Sequence, residues 1–124
     1  MISNFPLDRP TIILDYPAEC ASLVRLKLGN PQVAERAEVF IGGLEIANAY
    51  SELTDAAEQE KRFKVEMEQM RLAGKPTVWP GKFLETVKHL PEWSGIAVCV
   101  DHLVMLLCDA WSINDVIAFL SDTL

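Results

Sequence analysis

Four polar residues stand out for the chemistry they could share: Glu38, Glu45, Asn48 and Glu52. Three carboxylates and an amide, in or beside two adjacent predicted strands, can hold Mg²⁺ against phosphate groups. They can equally receive an ammonium group. The polar outer face of a half-exposed hairpin would present the same pattern, so spacing alone leaves these readings open. No nucleophile triad, phosphate-cradling glycine loop or Cys/His zinc spacing accompanies them, and no catalytic residue is assigned.

The elements that must position these groups can be read along the chain. Thr11-Ile12-Ile13-Leu14-Asp15-Tyr16 reads as a short buried strand closed by Pro17. Glu38-Val39-Phe40-Ile41 is a second strand, and Gly42-Gly43 supplies the positive-φ turn of a hairpin. The segment from Glu45 to Leu53 is ambiguous. Ile46, Ala49, Tyr50 and Leu53 form one helical stripe, whereas a strand would put Ile46, Asn48, Tyr50 and Glu52 on one face. The glycine turn favours the strand and the periodicity favours a helix. Asp55 with Glu58 then forms a capping-box pattern ahead of a helix whose stripe is Phe63, Met67 and Met70, stopped by Gly74 and Pro76. A shorter helix covers Lys82 to His89. Gly95 opens the apolar run Ile96 to Val100, Asp101 can cap a helix through Leu107, and Ser112 caps a turn with Asp115. The order of strand, hairpin, helix, helix, strand and helix predicts an α+β fold with a mostly antiparallel sheet and flanking helices.

Composition narrows the partners. The 124 residues suit a single domain, 1–124, with one core. Eleven basic residues against eighteen acidic give a net charge of −7, and the basic ones are scattered. Phosphate neutralisation needs clustered Lys and Arg, so direct nucleic-acid binding is not expected. The densest stretch, Lys61 to Lys75, is interleaved with Glu58, Glu60, Glu66 and Glu68, as on a solvated helix face. No apolar stretch reaches the ~20 residues a membrane span needs and no signal pattern opens the chain, so a cytoplasmic protein is expected. Cys20, Cys99 and Cys108 read as buried reduced thiols, and Trp79, Trp93 and Trp111 as hydrophobic anchors.

Longer segments carry a family resemblance. Asp15-Tyr16-Pro17-Ala18-Glu19, Ala34-Glu35-Arg36-Ala37-Glu38-Val39-Phe40 and Glu45-Ile46-Ala47-Asn48-Ala49-Tyr50-Ser51-Glu52-Leu53-Thr54-Asp55 all resemble the class II lysyl-tRNA synthetase catalytic core. So do Gln59 with Arg62-Phe63, the run from Ser94 to Leu107, and the tail from Ser112 to Phe119. The likeness is ordered, covers nearly the whole chain, and looks closest to the C-terminal half of the elongation factor P–lysine ligase branch. It implies that Glu38 and Glu45 hold ATP-bound Mg²⁺, that Asn48 and Glu45 lie near the polar groups of substrate lysine, and that Glu52 receives the ε-ammonium. Burying that ammonium against a carboxylate would distinguish lysine from uncharged amino acids. The resemblance also makes Glu45 to Leu53 a strand.

The departures from the family pattern lie on the nucleotide side. The third family motif runs a glycine-bearing strand into Asp-Arg at a helix start, and the arginine meets adenine or triphosphate. Here Cys99 stands at the glycine and His102 at the arginine, while Ala37 replaces the usual phenylalanine. Histidine lacks the guanidinium fork and is mostly neutral at pH 7. Met1 falls about ten residues before the first matching strand, and the family's first two motifs, the dimer interface and the α-phosphate arginine, lie upstream of it. The expectation is a degenerate lysine-ligase relative without adenylation, its ATP and Mg²⁺ affinity weak or lost, keeping a lysine-like pocket. Two alternatives stand beside it. One is a non-enzymatic module that associates with itself or a synthetase; in either case unpaired sheet edges imply a homo-oligomer. The other is a fragment of a longer active ligase.

Overall fold

A computed structural model describes residues 5–119. Its elements are β1 (Thr11–Pro17), β2 (Leu26–Lys27), β3 (Asn30–Ile41), β4 (Leu44–Ser51), α1 (Ala56–Leu72), α2 (Gly81–Val87), β5 (Ser94–Val98) and α3 (Val100–Cys108). One-turn 3₁₀ segments follow β1 at Ala18–Cys20 and α3 at Ile113–Asp115. The strands form one sheet in the order β1-β3-β4-β5, with β2 paired antiparallel to β3. This is the α+β arrangement expected from sequence, a mostly antiparallel sheet with flanking helices.

The ambiguous segment is a strand because its backbone groups find partners across the sheet. The Ile46 carbonyl accepts from the Cys99 N–H at 2.9 Å, and the Glu52 N–H donates to the Trp93 carbonyl at 3.0 Å. Ile46 and Ala47 are both buried. Consecutive buried residues mean that β4 is covered on both faces there, which erases the two-residue period and lets a helical stripe show through. The turn feeding β4 needs both glycines in the left-handed region, Gly42 at φ 59° and Gly43 at φ 82°. A Cβ on Gly42 would also stand 3.0 Å from Leu106 Cδ2 of α3, so the bare glycine lets the helix approach the hairpin.

Chain contacts divide the protein into two units, residues 1–15, 36–49 and 96–124 in the first and residues 16–35 and 50–95 in the second. In the first unit Phe40, Ile46, Ala47 and Met105 are buried, and the Phe5 and Phe40 rings meet with centroids 5.1 Å apart. Helix α3 starts earlier than expected. Cys99 occupies its N-cap without a side-chain cap bond, and Asp101 sits in the first turn, where a carboxylate still favours the helix dipole. Ser112 does cap its turn, accepting from the Asn114 N–H.

In the second unit Ala21, Val24 and Ala34 form a small core, covered by Tyr16, Leu26 and Tyr50. Asp55 caps α1, its Oδ1 accepting from the Ala57 and Glu58 N–H groups at 2.9 and 3.1 Å. The Glu58 carboxylate pairs with Arg62 at 3.0 Å and with Lys61 at 3.8 Å. Further pairs, Lys64–Glu60 and Arg71–Glu68, lace the exposed face of the helix as its charge pattern implied. Helix α1 meets α2 through Phe63 and Phe83, with ring centroids 5.8 Å apart.

Two expectations about packing need correcting. All three cysteines are free, but Cys20 and Cys108 are exposed and only Cys99 is half-buried. Cys108 sits at the end of α3, whose inward position is taken by Met105. Trp111 is 93% exposed, because it follows the left-handed Asp109 that ends α3 and leaves the helix face. It anchors nothing among the described residues.

Candidate functional site

In the first unit, two of the four singled-out residues are joined through a third. Arg36 Nε donates to Asn48 Oδ1 at 3.3 Å, and Arg36 Nη2 donates to Glu38 Oε1. Arg36 and Glu38 are two apart on β3, so the strand repeat puts both on one face. Glu38 is 8% exposed, and a carboxylate so placed needs a counter-charge. Arg36 supplies it while orienting the Asn48 amide. Sequence reading missed this arginine as a member of the site, although the Arg-x-Glu spacing on a strand was the available signal.

Glu45 is exposed, and its backbone does the positioning. Its carbonyl oxygen lies 2.7 Å from His102 Nδ1. A carbonyl can only accept, so Nδ1 carries the proton and the imidazole is held against β4 in that tautomer. His102 therefore fastens the start of α3 to the hairpin. Cys99, at the junction of β5 and α3, donates its N–H to Ile46 and keeps its thiol half-buried. Among the described residues no group of three or more His, Cys, Asp or Glu is placed to hold a metal ion. Of the two carboxylates singled out for a metal, Glu38 is paired with Arg36 and Glu45 is exposed. A Mg²⁺ ion arriving with its own phosphate and water ligands would need only one or two such protein carboxylates.

In the second unit, Glu52 follows directly on β4 and bridges to Val24. Its N–H is tied to Trp93, and the hydroxyls of Ser51 and Ser94 stand 3.3 Å apart next to it. Its carboxylate lies over Gly95, where a Cβ would come within 3.8 Å of Glu52 Oε1. Partial burial pushes the Glu52 carboxyl above the usual glutamate value. Among the described residues no hydrogen bond or ion pair reaches this carboxylate. A partly desolvated carboxylate of this kind is stabilised by a cation brought into contact with it.

The residues in these positions follow a known pattern. The sequence pattern of the class II tRNA synthetases (D, K and N) matches residues 4–123. The chain belongs to that family. Within it, the chain is 45% identical over 118 residues to the lysine–tRNA ligase of Thiobacillus denitrificans, a match covering 91% of this chain and 23% of that protein. It is 41% identical over 112 residues to the lysine–tRNA ligase of Dechloromonas aromatica, covering 89% and 22%. With that of an Anaeromyxobacter species it shares 38% over 119 residues, covering 94% and 23%. The chain thus spans less than a quarter of the length of these relatives. No helix among the described residues is long and apolar enough to cross a membrane.

Proposed function

We propose that this class II synthetase domain is a lysyl-tRNA-synthetase-like binding domain, 1–124, that takes the ε-ammonium of lysine or a similar amino acid at Glu52. The supporting observation is the Glu52 carboxylate, partly desolvated and with no cation beside it among the described residues. In the first unit the resemblance also assigns Asn48, its amide oriented by Arg36, and Glu45 to the polar groups of the ligand. Glu38 and Glu45 would hold Mg²⁺, which when bound neutralises nucleotide phosphates. We take the likeness to be to the C-terminal half of the catalytic core and to the elongation factor P–lysine ligase branch. A cytoplasmic setting without direct nucleic-acid contact accords with the net charge of −7.

The nucleotide side supports a degenerate form. His102 spends its Nδ1 proton on the Glu45 carbonyl and offers no guanidinium fork, so adenylation is lost and ATP affinity is low. Cys99 puts a thiol where a glycine would let ligand approach the backbone. Calorimetric titration with lysine and with a non-hydrolysable lysyl-adenylate analogue tests this reading. Lysine is expected to bind saturably, the analogue no more than about tenfold tighter. No heat with either ligand overturns the pocket; pyrophosphate exchange above background overturns the loss of adenylation. Restoring the fork by His102→Arg should tighten ATP about tenfold, roughly the ~1.4 kcal/mol of one charge-assisted hydrogen bond. Unchanged ATP binding in that variant removes His102 as the cause.

A second reading, self-association, rests on the sheet edges. β1 and β5 are the outermost strands of the described sheet. Their alternate residues Ile12 and Leu14, and Ile96 and Val98, are 61%, 64%, 62% and 49% exposed. Apolar alternation along an edge invites pairing with another strand. Sedimentation should show an oligomer that Leu14→Lys converts to monomer; a monomeric wild type at ~100 μM would exclude it.

A further inference from the structure

Trp93 has no role in the reading above, yet its position is tightly specified. The backbone bond from Glu52 to the Trp93 carbonyl, 3.0 Å, fixes residue 93 beside residue 52. Gly95 lies two residues further along the extended chain, on the same face. A Cβ on Gly95 would be 3.4 Å from Trp93 Cζ3 and 3.8 Å from Glu52 Oε1. One point above the Gly95 Cα is therefore within 4 Å of both an indole carbon and a carboxylate oxygen. The indole is 46% exposed, which leaves it room to turn its face about its two side-chain torsions.

These neighbours attract the same kind of group. A carboxylate draws a cation by its charge, and an indole draws one by the negative face of its ring, most strongly among the aromatic side chains. Gly95 contributes open space, since an ordinary van der Waals contact is all that a Cβ there would meet. We infer that Trp93 is a specificity-determining residue whose indole forms the second wall of the Glu52 ammonium site, admitting N-methylated as well as primary ammonium groups. This rests on the Glu52 reading and sharpens its substrate class. Methylation removes N–H donors that the carboxylate uses, but it leaves the attraction to the ring intact. With a carboxylate alone, dimethylation of the amine should cost affinity; with Trp93 present, the cost is offset.

The experiment is a titration of the full chain with lysine and with N6,N6-dimethyl-lysine, followed through the Trp93 indole N–H resonance and by calorimetry. Wild type is expected to bind the two amines within about threefold of each other. Trp93→Leu should weaken lysine about fivefold and dimethyl-lysine about twentyfold, with Trp93→Phe recovering most of both. Gly95→Ala, which the space above Gly95 accommodates, should keep the thermal midpoint and lose both ligands. The inference is overturned if Trp93→Leu binds both amines like wild type, or weakens both by one common factor as a merely structural change would. Normal binding by Gly95→Ala overturns it as well. Should Glu52→Gln abolish binding while Trp93→Leu does not, the Glu52 pocket stands and Trp93 is excluded. Binding of neither amine by wild type removes both.

Discussion

Glu52→Gln is expected to weaken lysine binding by about thirtyfold, because removing one partner of a partly desolvated charge pair costs about 2 kcal/mol. Glutamine preserves the shape of the side chain, so the loss reports the charge. The same substitution should slightly stabilise the ligand-free protein at neutral pH. Burial raises the Glu52 carboxyl above its unfolded value of 4.5, so the folded state binds the proton more tightly than the unfolded one. The stability tied to that proton is fully present below the unfolded value and is lost as pH rises through the raised folded value. Glutamine has no proton to lose, and the variant should show a flatter stability profile across that window in urea titrations. Lysine affinity in the wild type should fall in the opposite direction, as acid protonates Glu52. A variant that binds lysine normally would place the ammonium elsewhere.

Arg62→Ala should produce the largest loss of stability among surface-reaching side chains, about 2–3 kcal/mol. Arg62 Nη1 donates to the carbonyls of Ser22 and Val24, both at 2.8 Å, while its Nε donates to Glu58. One guanidinium thus fastens α1 to the loop that carries the small core of the second unit. Ser22 there holds a left-handed φ of 45°, which costs a non-glycine residue about 1 kcal/mol. With Arg62 gone, two carbonyls lose their donor and the strained turn loses its support. Arg62→Lys can reach only part of this set and should recover less than half of the loss. Denaturant midpoints of the three proteins measure it; an alanine variant within 0.5 kcal/mol of wild type, about the spread of ordinary surface changes, would contradict the role.

The secondary structure was legible where local chemistry and tertiary demand agree. Gly42-Gly43 declared the hairpin, Asp55 the start of α1, and the interleaved Glu and Lys residues its solvated face. The segment from Glu45 to Leu53 was ambiguous because Ile46 and Ala47 are both covered, a property of the finished sheet that no window of sequence carries. The early start of α3 escaped for a similar reason: Cys99 is fixed as its N-cap by a backbone bond to Ile46, not by a side-chain cap. Of the candidate site, Glu38, Glu45, Asn48 and Glu52 were recognisable as residue types. Their partners were not. Arg36 bridges Glu38 and Asn48 across two strands, and Trp93 meets Glu52 only through a strand pairing. Contacts set by pairing between strands leave little trace in local spacing.

Cys99 and His102 show how such pairings act on the positions proposed to face a nucleotide. His102 spends its Nδ1 proton on the Glu45 carbonyl, so a side chain proposed to stand on the nucleotide side is occupied with holding two elements together. The chain keeps the sequence pattern of its family, and the proposed balance between lysine and nucleotide binding follows from what each polar group is already bonded to. The most direct measurement is calorimetric titration of the full chain with lysine and, in parallel, with norleucine, which has nearly the same reach but no side-chain ammonium. Saturable binding of lysine with no detectable binding of norleucine is the expected result. Equal binding of both, or of neither, would contradict an ammonium site at Glu52.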